Sequence, residues 1–370
     1  MILLFCIMIF GFFAATLLTP QKEYSETENR TLSRRPKLTL SSLLDGSFEE
    51  DYESYLTDQF VLRDQWIGLK TDVERLMLQQ ESKDIYFAKD DYLIEKHTGT
   101  FTAAQAETNI QQLSAFLDQY QEKFGGRMSV MIVPNAVSVL SDKLPAWASP
   151  YDEKEYLSQV EAAVPEKSWF DVSSVLEAHR EEEIFYRTDH HWKTLAAFYT
   201  YQAWTEQQGL RVPSADDFDI QTVTEEFEGT IQSRLGITAR KDSIQLYLQK
   251  DDPFYTVQLE EGQESEYSLY DYTKLDTKDK YGIYFGGNHA LVRIQTKAET
   301  GRNILIIKDS YANCFVPFLL EEYDRIDLLD VRYYNQKVSE LIDSGDYTDL
   351  LFLYNAAGFA EDTSLVKLAY

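Results

Sequence analysis

Cysteine, histidine and basic side chains are all scarce in this chain, and each scarcity removes a class of function. Only two cysteines, Cys6 and Cys314, occur in 370 residues. Cys6 lies in an apolar N-terminal run, so an internal disulfide between the two is not expected. No CxxC spacing exists to hold a metal. A secreted protein can lack disulfides, so cysteine usage leaves the compartment open. Lys and Arg number 35 against 62 Asp and Glu, for a net charge of −27. A surface of that sign repels phosphate backbones and anionic headgroups, which argues against nucleic acid and against docking on an anionic membrane face. No repeat of solenoid period and no long low-complexity tract is visible. The five histidines are few enough that any cluster of them is informative.

What remains is the composition of a packed protein. Apolar residues make up 44% and aromatics 14%, with 25 tyrosines, side chains that suit half-wet clefts as well as cores. The length fits one large domain or a domain with an appendage. Residues 2–18 are apolar and uncharged; as a helix they span about 26 Å, slightly under the usual ~20-residue crossing. Residues 1–18 are expected to form a signal anchor or transmembrane helix, holding an extracellular ectodomain at the cell membrane by a single N-terminal pass. A cleavable signal is the alternative, but Phe13-Ala14-Ala15 is a poor cleavage site and Cys6 lacks lipobox surroundings. Lys22, Arg30, Arg34, Arg35 and Lys37 follow the run and nothing basic precedes it. That arrangement opposes the positive-inside tendency, and a basic segment upstream of Met1 is expected to resolve it.

Residues 19–40 read as a tether and residues 41–80 as helical. The segment 85–94 reads as a short hairpin turning at Lys89-Asp90-Asp91. From residue 103 helices and short apolar runs alternate. Strands are expected at 128–133, 169–172, 304–307, 326–329 and 350–354, with helices at 103–124, 156–163, 195–207, after Ser310 and around 338–341. Alternation of this kind implies an α/β fold with a mostly parallel sheet covered on both faces. Residues 215–300 read as a β-rich insertion.

The chemistry concentrates in Thr188-Asp189-His190-His191-Trp192. A carboxylate two residues from an imidazole can fix one ring nitrogen and leave the other to move a proton. Without a nucleophile the cluster is a polar corner or a metal site, although no further histidine or cysteine has ligand spacing nearby. In parallel sheets, reactive groups gather past the carboxyl ends of strands. Ser310 follows the 304–307 run, where its own amide can face developing negative charge, though a serine there is more often a helix cap. Asn355 follows the 350–354 run and reads as a turn former or an oxyanion donor. Cys314 reads as buried wall.

Asp189-His190-His191-Trp192 together with Lys308-Asp309-Ser310-Tyr311-Ala312-Asn313 resembles the DHHW protein family, which is similar to the alginate O-acetyltransferases of the SGNH-hydrolase-like class. Further matching residues are Glu28-Asn29-Arg30, Leu43-Leu44-Asp45-Gly46, Asp58-Gln59-Phe60, Pro134-Asn135 and Gly286-Gly287-Asn288-His289. The resemblance implies an SGNH-hydrolase-like three-layer α/β/α domain over residues 41–370, with a helical N-terminal extension. It implies a permuted triad of Asp189, His191 and Ser310. The Ser310 amide and Asn355 would form the oxyanion hole, and Arg332 or the Gly287-Asn288 turn would supply the remaining donor. His190 and Tyr311 would line the substrate site. The implied reaction moves an acetyl group from a donor to a polysaccharide acceptor through acetyl-Ser310, with a membrane-bound O-acyltransferase as partner and with no cofactor or metal. A carbohydrate esterase using the same triad and a non-catalytic polysaccharide-binding protein are the rival expectations.

Overall fold

The computed structural model describes residues 1–25, 30–237, 240–251, 253–259 and 268–369. Glu28 and Asn29 of the motif set, and residues 238–239, 252 and 260–267 of the expected insertion, lie outside the described residues. The chain forms two units, Met1–Lys83 with Thr230–Ala239, and Asp84–Gly229 with Arg240–Tyr370.

The first unit is helical. Ile2–Leu18 is a 17-residue helix with no buried residue, followed by helices Leu40–Leu44, Ser47–Asp58 and Arg63–Leu76. Among the described residues no helix is long and apolar enough to cross a membrane, so the expected transmembrane helix is not found. At a rise of about 1.5 Å per residue the apolar run stops a few residues short of the hydrocarbon thickness. Within this unit Arg63–Leu76 packs on Thr230–Leu235, a short helix from the expected β-rich insertion. Thr71 Oγ1 donates to the Leu235 carbonyl at 2.8 Å. A Cβ on Gly68 would stand 2.3 Å from the Gly236 carbonyl oxygen, so that approach requires glycine.

The second unit is built on a six-stranded sheet: β1 (Met128–Val133), β2 (Tyr255–Leu259), β3 (Leu291–Thr296), β4 (Asn303–Lys308), β5 (Arg325–Leu329) and β6 (Asp349–Asn355), in the order β1-β6-β4-β5-β3-β2. The four apolar runs are buried and mutually parallel, as continuous hydrophobic strands covered on both faces require. β3 runs antiparallel to β5, and β2 antiparallel to β3. The expected β-rich insertion therefore contributes two strands to the main sheet, and its Phe218–Phe227 and Asp242–Gln249 strands pair as a separate hairpin.

Alternate residues of the parallel strands enter two cores. Ile304 and Ile306 pack with Trp192, Phe198, Trp204 and Phe318 on one face. Leu305 and Ile307 pack with Leu113, Phe116, Leu117 and Phe359 on the other. Helix Thr194–Gln207 covers the first face and Ala104–Phe124 the second, giving a mixed α/β fold with helices on both sides. Two local expectations are corrected. Residues 169–172 form only an isolated bridge at Trp169, because the Asp171 carboxylate accepts from Ser174 N and starts the helix Val172–Ala178. The segment after Ser310 is two short 3₁₀ turns, Ser310–Cys314 and Val316–Glu321. Pro317 has no N–H to return to the Asn313 carbonyl, so an α-helix cannot run through.

Ile306→Ala, at a fully buried position on β4, is expected to destabilise the second unit by about 2–5 kcal/mol. A lower urea midpoint at unchanged slope would register it.

Candidate active site

The parallel strands end on one rim, and each delivers a polar group there. β4 runs into Asp309 and Ser310, β6 ends at Asn355, β1 is followed by Asn135, and β5 by Asp330 and Arg332. The imidazole comes from a loop. An antiparallel bridge between Phe185 and Trp192 closes the loop that carries Asp189, His190 and His191. Trp192 is fully buried, and its indole N–H donates to the Tyr311 carbonyl at 2.9 Å, fastening the loop to the residue after Ser310.

Asp189, His191 and Ser310 are brought into one line of contacts. Asp189 Oδ1 lies 2.6 Å from His191 Nδ1 and also accepts from the His191 amide at 3.1 Å. His191 Nε2 lies 2.8 Å from Ser310 Oγ. A carboxylate can only accept, so the imidazole proton belongs on Nδ1 and Nε2 is left to accept from the serine hydroxyl. Burial is the main cause that lowers His191 to about 4, the His190 ring beside it adds to this, and Asp189 opposes it. At neutral pH the imidazole is therefore uncharged and able to take a proton.

Several supporting groups were not legible beforehand. The Tyr281 ring stacks on the imidazole with centroids 3.8 Å apart and 16° between planes, and its hydroxyl donates to the Ser310 carbonyl at 3.2 Å. The buried Asp242 carboxylate accepts from Arg187 N at 3.0 Å, and from Thr188 N and Oγ1 at 2.9 and 2.7 Å, holding the entry to the base loop. Gly229 N donates to Thr188 Oγ1 at 3.0 Å. A Cβ on Gly229 would stand 2.3 Å from Asp189 Cβ, so a side chain there would push the acid out of place. One of 25 tyrosines and a lone aspartate on a hairpin carry no signal in sequence. Gly229-Thr230 at least marks a close turn.

On the nucleophile side, Asp309 Oδ1 accepts from Tyr311 N at 2.8 Å, and its Oδ2 accepts from Asn355 N and Nδ2 at 2.8 and 2.6 Å. Asn355 Oδ1 in turn accepts from Gly358 N at 2.8 Å and from Asn135 Nδ2 at 3.1 Å. Asn355 is thus brought to the rim beside Ser310 with its side chain bound to Asp309, Asn135 and Gly358. Among the described residues the Ser310 amide donates to nothing.

The other expected residues separate into two groups. Arg332 forms a bidentate pair with the fully buried Asp330, at 2.8 and 2.6 Å, and about a third of its side chain faces solvent. Asn288 Oδ1 accepts from Asn313 Nδ2 at 3.3 Å, which ties the turn containing Gly287 (φ 127°) to the far end of the nucleophile turn. His190 is partly exposed, with its ring 4.0 Å from that of His191. Tyr311, expected to line the substrate site, is fully buried and its hydroxyl donates to the His190 carbonyl. It braces the loop that carries His190 and His191. Donor atoms of Asp189, His190 and His191 lie within 4.8 Å of one another. Both His191 nitrogens already have partners in Asp189 and Ser310, so this set does not fit a resident metal.

The DHHW family model matches residues 128–329, a span that holds both the base loop and Ser310. The chain belongs to the DHHW protein family. The crystal structure of a DHHW family protein from Eubacterium siraeum DSM 15702 is similar at 22% identity and a TM-score of 0.62, over 78% of this chain and 96% of that one. Bacillus cereus PatB1 with a sulfonyl adduct is similar at 22% identity and 0.61, over 76% and 97%. The O-acetyltransferase domain of Pseudomonas putida AlgJ is similar at 14% and 0.46, over 77% and 98%. No curated protein sequence matches the chain. The first two likenesses show that this DHHW chain shares their fold.

Activity that needs neutral His191 should hold as pH falls through 6 and be lost with a midpoint near 4, well under the ~6.5 of free imidazole. Stability should already fall as pH drops from ~6.5 to about 4, because over that range the unfolded chain binds a proton that the folded chain does not. His190→Gln, by removing a neighbour that disfavours imidazolium, should move the acid limb of the rate profile upward. Gly229→Ala should cut turnover by roughly 100-fold through displacement of Asp189, measurable as kcat on a chromogenic ester.

Proposed function

We propose that this chain is a serine O-acyltransferase that moves acetyl groups onto hydroxyls of a polysaccharide. The observation that carries the reading is the continuous line Asp189–His191–Ser310, closed at 2.6 and 2.8 Å. Ser310 Oγ attacks the donor carbonyl while His191 Nε2 takes its proton. The tetrahedral oxyanion is met by the Ser310 N–H and by the amide hydrogen of Asn355 that Asp309 does not use. Arg332 and the Gly287-Asn288 turn are the nearest further candidates. Collapse expels the donor's leaving oxygen, which receives the proton from His191, and leaves acetyl-Ser310. His191 then takes the proton of an acceptor hydroxyl as its oxygen attacks the acetyl carbon, and the returning proton regenerates the serine.

The family's likeness to alginate O-acetyltransferases favours acetyl as the acyl group and a sugar hydroxyl as acceptor. By the same analogy a membrane-bound O-acyltransferase supplies the donor, and the reaction takes place outside the cytoplasm. A neighbour of the same fold that carries a sulfonyl adduct supports a nucleophile open to electrophiles. The rival reading is an esterase, in which water replaces the acceptor in the second half-reaction. The choice depends on how well the acceptor excludes water.

Ser310→Ala is expected to lower ester turnover by at least ~10³-fold. With an acetylated donor and an oligosaccharide, mass spectrometry should find the oligosaccharide gaining acetyl groups. Equal turnover in both proteins would remove the triad. Free acetate as the sole product at saturating oligosaccharide would replace the transferase with the esterase.

A further inference from the structure

β4 ends in a lysine after the apolar run Ile304–Ile307. Lys308 is 2% exposed, one of the largest fully buried side chains in the protein. It belongs to a strand whose neighbours on both sides, β5 and β6, are also buried. A buried ammonium is costly unless its protons are taken up. Here they reach the nucleophile turn. Lys308 Nζ donates to Asn313 Oδ1 at 2.7 Å and to the Asp309 carbonyl at 3.3 Å. Those acceptors lie one residue before Ser310 and three after it. One cation therefore spans the 3₁₀ turn Ser310–Cys314 from end to end. Asn313 passes the restraint outward, since its Nδ2 donates to Asn288.

The turn needs such a restraint. Ser310–Cys314 has five residues, and its hydroxyl must stay within hydrogen-bond reach of an imidazole carried on a loop 119 residues away. Asp309 fixes the amide of Tyr311, the second residue of the turn, but nothing in its carboxylate reaches the far end. Burial pushes the Lys308 ammonium down to about 8, with Arg332 pushing the same way and Asp330 and Asp309 opposing. The side chain is thus still largely charged at neutral pH.

We propose that Lys308 is a positioning residue whose buried ammonium latches the two ends of the nucleophile turn through Asn313 and the Asp309 carbonyl, setting the distance from Ser310 to His191. The proposal rests on the serine-nucleophile reading above. It assigns Lys308 no contact with substrate, so its loss should appear in kcat and in the reactivity of Ser310, and not in KM.

The test is a double-mutant cycle on the full chain: Lys308→Met, Asn313→Leu and both together. The rate of Ser310 sulfonylation by phenylmethylsulfonyl fluoride is followed by intact mass, and kcat and KM on a soluble acetyl ester are followed alongside. Each single variant is expected to slow labelling and kcat by roughly 10- to 100-fold at unchanged KM. The double variant is expected to be no slower than the worse single, because both changes open one latch. If Lys308→Met fails to fold, Asn313→Leu decides alone, since it removes the latch partner without stranding a buried charge. Variants that label as fast as the parent overturn the latch, as do multiplicative losses in the double variant or a loss that falls on KM. A parent protein that neither labels nor turns over the ester overturns the nucleophile reading, and the latch with it.

Discussion

The buried Asp309 carboxylate joins the ends of two neighbouring parallel strands to the turn that presents the nucleophile. It stands at the carboxyl end of β4, and its oxygens accept hydrogen bonds from the backbone of Tyr311 and from both the backbone and side chain of Asn355 at the end of β6. Burial raises its proton affinity, while Arg332, these donors and Lys308 oppose that rise. A carboxylate in such a place is tolerated only because each oxygen is met. The same bonds that stabilise the charge fix where Ser310 starts. Asn135, at the end of β1, extends the clamp by bonding Asn355 and Ala357. Three strand ends thus form one rigid rim, and the serine is placed by the sheet itself.

The base is placed by different means. His191 sits on a loop, and loops hold position only when their own polar groups are occupied. Asp242 does this for Arg187 and Thr188, Trp192 pins the loop to the Tyr311 carbonyl, and Tyr281 covers one face of the imidazole. Tyr311 takes part twice, through its carbonyl to Trp192 and its hydroxyl to the His190 carbonyl. The 2.8 Å contact between His191 and Ser310 is therefore the meeting of two separately braced bodies, with Tyr281 and Tyr311 touching both.

This division explains what could be read from the chain and what could not. The parallel strands were legible because a strand buried on both faces must be a short apolar run, and the residues after those runs, Ser310 and Asn355, fell at the rim as expected. Asp189 and His191 were legible from their spacing and from the rarity of histidine. The supports were not, because Tyr281 and Asp242 act through distances that only the folded chain creates. The burial of Tyr311 was not legible for the same reason. Proximity to the nucleophile in sequence says nothing of which way a ring points, and here it points into the core. The 169–172 run looked like a strand by composition, but one aspartate cap redirected it into a helix.

The low proton affinity of His191 at rest bears on how such a site could work. An imidazole near 4 is a weak base, which would slow proton abstraction if it kept that value through the reaction. It need not keep it. The main cause of the depression is burial, which penalises an isolated imidazolium, and His190 adds a like-charge penalty. Were an oxyanion to develop beside Ser310, the imidazolium would gain a second opposite charge besides Asp189, in surroundings that screen poorly. The proton would then be stable on Nε2 only while the tetrahedral species existed. A site arranged this way keeps its base uncharged between turnovers, and couples proton transfer to formation of the bond at the acyl carbon.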